Sequence, residues 1–250
     1  MIANLFRHRL FTRAAFVCLF YALISLIFIS ISSTQVLGIN AFIKPFKFGI
    51  SAFVLFLTFS WFYNFLPSRL HNSFQLFAWI NVAVMAFELS WILIQAYRGT
   101  LSHFNMSTPF EGIMFGIMGV SIAISTTWTL VLFKWTFASD FRMSPDLLWA
   151  VRFGILLFVI FGFTGFIMGA NRSHTVGSSD GGTGLFLLNW SLIHGDIRIA
   201  HFFGLHALQI LPLKANLFKL RARNSFVLSV LYGAACATLL YIALSGQAPF

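Results

Sequence analysis

The stretch HGDIRIAHFFGLHALQILP, His194–Pro212, leads three imidazoles, a carboxylate and a guanidinium into an apolar segment. Imidazole with carboxylate is a donor set suited to zinc, iron or manganese. Spacing limits how the histidines act together. His201 and His206 are five residues apart, about 140° around an α-helix. They therefore lack the shared face of the i,i+4 histidines in HExxH zinc sites.

A second chemical group lies in NVAVMAFELSWILIQAY. Glu88 places a carboxyl inside an apolar run, where it is costly and is expected to face a partner or a cavity. Asn81, Glu88 and Gln95 recur every seven residues. That keeps them on one helix face, drifting by only about 20° per step, so an interior polar seam is expected.

The preferred metal set is Glu88, His201 and His206, with His194, Asp196 or His103 completing or orienting it. Glu88 and His206 are the candidate catalytic groups beside a metal-bound water. Arg172 and Arg198 flank the same connection and suit a bidentate grip on an anionic headgroup or phosphate. Gln95 is a further candidate substrate contact. Each has a bland alternative: packing for Glu88, a satisfied interior imidazole for each histidine, and ordinary lipid contact for the arginines.

The elements that must position these groups are membrane spans. Of the 250 residues, 59% are hydrophobic and 9% charged, against about 25% charged in soluble domains. Windows of about 20 apolar residues recur, the length that crosses a bilayer. An all-α polytopic transmembrane bundle follows, read as one integral membrane domain over 1–250. Seven spans are expected: 14–33, 46–65, 74–96, 112–133, 147–169, 199–217 and 226–244. The first is read as a retained span rather than a signal peptide, because its apolar run is long and no small-x-small cleavage site follows. The Lys44-Pro45 step is expected to hold the start of the second span back to Phe46.

The net charge of +10 would suggest nucleic acid in a soluble protein. Here the basic residues fall in the connections, so a bilayer is the expected partner and nucleic acid is not. Arg7, Arg9, Arg13, Arg69, Lys134, Arg142 and the 214–223 cluster share one side. The positive-inside rule then gives a cytoplasmic N-terminus and an outer C-terminus in a cell inner membrane. The same layout sends Glu88, Glu111, Asp180 and Asp196, four of the six acids, to the outer half. The long connection 170–198 is also outer, a candidate lid or binding loop, with Trp190 of LFLLNW expected at headgroup depth.

Four function classes remain. The first is a membrane-embedded metalloprotein holding zinc or iron, acting as an enzyme on a lipid or small apolar substrate. The others are a b-type haem electron-transfer protein, a proton-coupled transporter, and a structural or sensory subunit. A retinal protein is disfavoured, since the last apolar segment has no lysine for a Schiff base. No G-x-S-x-G elbow supports serine hydrolysis. The pairs Gly112/Gly116 and Gly165/Gly169 suit close helix contact within one bundle or in a homo-oligomer. Cys18 and Cys236 read as buried apolar groups.

Overall fold

Lipid offers no water to pair with backbone N–H and C=O groups, so a spanning segment pairs its own and becomes a helix. The computed structural model describes residues 5–248 and is helical over most of them. In chain order come α1 (Arg9–Ile31), a small hairpin of β1 (Gln35–Val36) and β2 (Ile39–Asn40), α2 (Ile43–Phe62), α3 (His71–Tyr97), α4 (Pro109–Trp128) and α5 (Leu130–Trp135). Then follow α6 (Pro145–Gly162), α7 (Thr164–Asn171), the paired β3 (Thr175–Val176) and β4 (Gly195–Asp196), α8 (Ile197–Leu217) and α9 (Ala222–Leu244).

Because α4 runs on into α5 and α6 into α7, these make seven long helical stretches among the described residues. Six are long and apolar enough to cross a membrane: Arg9–Ile31, Ile43–Phe65, Ser68–Tyr97, Pro109–Trp135, Pro145–Asn171 and Ala222–Leu244. The chain is thus a polytopic helical membrane protein. The remaining stretch, α8, has 21 residues, about 31 Å at the usual rise. It is less apolar because it carries Arg198, His201, His206, Gln209 and Lys214. Helix α2 begins at Ile43 rather than near Phe46. Pro45 sits in the first turn, where an N–H has no intrahelical acceptor to lose.

The chain divides into two compact units, Met1–Ser125 and Thr126–Phe250. In the first, α1 and α2 pack along each other and α3 packs on both. Gly49 marks the close approach of α1 and α2: a Cβ there would lie 2.8 Å from Tyr21 and 2.9 Å from Ala22. In the second, α8 packs against α6 and α9. A Cβ on Gly204 would lie 2.1 Å from Phe161, and one on Gly154 would lie 3.0 Å from the Leu208 backbone.

The pairs picked out by spacing behave differently. A Cβ on Gly116 would meet nothing within 4 Å, and one on Gly165 would meet only His201, at 3.7 Å. The facing element decides which glycine is needed for contact, and spacing along one helix does not report it.

Gly204→Val forces α8 away from α6 and is expected to destabilise the protein by about 1–3 kcal/mol, the usual cost of overpacking. Thermal unfolding in detergent measures it. Gly116→Ala in the same assay is expected to stay within about 0.5 kcal/mol of the parent.

Candidate functional site

The helix that begins at Pro145 is interrupted after Gly162. The Phe161 carbonyl there is met by the Phe163 backbone N–H and by two side chains. The Thr164 hydroxyl donates to it at 2.7 Å and His201 Nδ1 donates at 2.8 Å. A carbonyl only accepts, so Nδ1 of His201 carries the proton and Nε2 keeps its lone pair. Thr164 Oγ1 also lies 3.0 Å from Nδ1, which fixes the ring further.

Five residues on, the His206 ring packs at a tilt against Phe202, with centroids 4.4 Å apart. Its Nδ1 faces the Gln209 amide oxygen at 3.2 Å, so its Nε2 too is left as the acceptor. Among the described residues no hydrogen bond engages either Nε2. An imidazole held through Nδ1–H by an oxygen, with Nε2 open, is the arrangement of a metal-ligating histidine.

Of the other groups expected at this end, Asp196 and Arg198 are engaged within the protein. Asp196 is fully buried and caps α8 by accepting from Arg198 N at 3.0 Å. Its Oδ2 accepts from Ser191 N at 2.8 Å and from Arg198 Nη2 at 2.6 Å, and its Oδ1 from Arg198 Nε at 2.9 Å. Arg198 also donates to the Asn189 carbonyl at 2.5 Å. The pair therefore closes the loop onto the helix start. Arg172 is exposed, in the left-handed cap of α7 with φ 51°. The His194 backbone N–H donates to Ser191 Oγ at 3.0 Å.

Asp180 organises the rest of the loop. Its carboxylate accepts from Ser173 Oγ at 2.8 Å, Thr175 N at 3.1 Å, Thr175 Oγ1 at 3.0 Å and His174 Nδ1 at 2.5 Å. Burial alone raises its pKa, but the hydrogen bonds and charge of His174 and the Ser173 hydroxyl outweigh it and hold the carboxyl well below the usual range.

In the first unit the expected seam is present: Asn81, Glu88 and Gln95 are all buried. Their partners differ. Asn81 donates to Phe77 O at 2.9 Å and accepts from Ser125 Oγ at 2.8 Å. Gln95 donates to Glu111 and accepts from Arg98 at 2.9 Å and Thr100 at 2.8 Å, while Arg98 also pairs with Glu111 at 2.6 Å. That network ties the end of α3 to the start of α4.

Glu88 alone stays unmatched. Its Oε1 is the single buried side-chain polar atom without a hydrogen-bond partner among the described residues. The cation acting on it is Lys44, whose Nζ lies 3.2 Å from His103 Nδ1, beside Ser102 Oγ at 3.1 Å from the same nitrogen.

Glu88 belongs to the first unit, and His194, Asp196, His201 and His206 belong to the second. Among the described residues no three or more His, Cys, Asp or Glu side chains are arranged to hold a metal ion. The Phe161 carbonyl and Thr164, which orient His201, carry no signal in the sequence beyond a glycine-bearing FGFTG run. No protein-family model matches the chain, and no curated protein and no solved structure is similar to it.

Two measurements follow. Asp196→Ala removes the carboxylate partner of Arg198 and the cap of α8, so a loss of about 3 kcal/mol is expected, read from the unfolding midpoint. For Asp180, the folded carboxyl titrates below its unfolded value near about 3.9. Its contribution is present above that value and fades as the pH falls through the folded pKa. Hydrogen exchange at residues 173–176 is expected to speed up under such acid in the parent protein, and at neutral pH in Asp180→Asn.

Proposed function

We propose that this membrane protein binds a transition-metal cofactor through imidazole, with His201 as the leading ligand. The observation that carries the reading is the Phe161 carbonyl holding Nδ1–H of His201 at 2.8 Å, with Nε2 open. Haem b suits this donor set best, because one oriented imidazole suffices as an axial ligand. A mononuclear zinc or iron centre is the other form. It draws more donors from the protein, with His206 the next open imidazole. His206 otherwise serves as a proton carrier to a small apolar substrate or redox partner arriving from the bilayer. Asp196, Arg198 and Gln95 are assigned to holding the fold, since their polar atoms are already paired. By charge distribution the basic turns face the cytoplasm and the 170–198 loop faces outward.

An absorption spectrum with elemental analysis of gently purified protein tests this. A Soret band with stoichiometric iron, lost in His201→Ala and retained in Asn81→Ala, is the expected result. Stoichiometric zinc without colour, lost in the same variant, moves the reading to a Lewis-acid centre. Folded protein with neither metal nor pigment, after expression with ample haem and metal, overturns it.

The orphan Oε1 of Glu88 favours a second reading, confined to the first unit: a proton-coupled carrier in which Glu88 takes up and releases the proton. A carboxyl in hydrocarbon is retained at such cost mainly where protons or ions move. Proteoliposomes loaded with a pH-sensitive dye are expected to show proton flux under an imposed potential. Glu88→Gln is expected to abolish it; flux that persists unchanged removes Glu88 from this role.

A further inference from the structure

Residues 184–193, GLFLLNWSLI, lie between the two short strands of the second unit. A polar, water-facing loop would turn its apolar groups inward. This one does the reverse. Phe186 is 91% exposed and Ile193 70%, and Leu185, Leu187 and Leu192 are also exposed. Trp190 is buried within the protein. Its ring packs on Phe202 at 5.5 Å and Phe203 at 6.2 Å. Those residues lie five and six positions into α8, about 8 Å below its first residue. Trp190 therefore pins the loop back along the flank of α8, away from open solvent beyond the helix end.

The backbone of the loop is closed on itself. Leu185 N donates to Trp190 O at 2.8 Å, Asn189 N to Leu185 O at 2.7 Å, and Leu188 N to Phe186 O at 2.8 Å. Gly184 bridges Ser191. Asn189 O accepts from Arg198 and Ser191 N donates to Asp196. Leu187 and Asn189 take the left-handed conformation, with φ 64° and 56°; asparagine tolerates it, whereas it is uncommon for a leucine. Irregular backbone survives at membrane depth when its polar groups are paired by protein. An exposed apolar patch on such a loop marks a binding surface. The loop is held through Trp190 to α8, which packs against the apolar helices α6 and α9.

We infer that residues 184–193 form a lipid-inserted loop, with Phe186, Leu187 and Ile193 dipping into the acyl boundary at the end of the bundle where α8 begins. The Asp196–Arg198 pair and Trp190 hold it down. The inference does not depend on the cofactor reading.

The test is site-directed spin labelling of Phe186→Cys, with Cys18 and Cys236 replaced by alanine, in phosphatidylcholine–phosphatidylglycerol vesicles. Collision with oxygen is expected to exceed collision with a water-soluble nickel chelate several-fold. A label in Ser179→Cys, in the exposed polar part of the same connection, is expected to show the opposite. High nickel accessibility at position 186 places the loop in water and overturns the proposal. Low accessibility to both places it under protein, a second copy or a partner, and also overturns it. If Phe186→Cys does not fold, Ile193→Cys carries the same measurement.

Discussion

The carbonyl of Phe161 sits where a membrane helix loses its own ladder, and in hydrocarbon an unpaired carbonyl costs several kcal/mol. Thr164 and His201 supply the missing donors. That single requirement fixes much of the second unit. It sets which face of α8 meets α6. It goes with a close approach of α6 and α8 at Gly204, where a Cβ would lie 2.1 Å from Phe161. It also fixes the tautomer, and so leaves the Nε2 lone pair open. His206, about 140° round the same helix, faces Phe202 and Gln209 instead. The two imidazoles are thereby given different neighbours.

The same pairing rule sorts the remaining polar residues. Gln95, Arg98, Thr100 and Glu111 close one helix end onto the next. Asp196 with Arg198 and Ser191 closes the start of α8, and Asp180 gathers the turn that follows α7. Such groups look functional in a list of charged residues, yet their lone pairs and protons are already matched. Among the described residues, Glu88 Oε1 is an exception in the first unit, and the Nε2 atoms of His201 and His206 are left open in the second. Chemistry is most economically assigned to atoms that the fold leaves unmatched.

Length and apolarity alone made the membrane bundle legible. A window of about 20 apolar residues has one stable conformation in lipid. The seven-residue spacing of Asn81, Glu88 and Gln95 placed them correctly on one buried face, because helix geometry is local. The Pro45 boundary, the glycine contacts and the packing of Trp190 were not legible. Each depends on a residue from another element: a first-turn position in α2, Phe161 facing Gly204, and Phe202 under Trp190. The sequence by itself determined that polar groups would be few and clustered toward the ends and one seam of the bundle. Only the tertiary structure decided which were matched. The partners lie 16 residues apart for Gln95 and Glu111 and 40 apart for Phe161 and His201, and a hydrogen bond depends on distance in space, which chain separation does not encode.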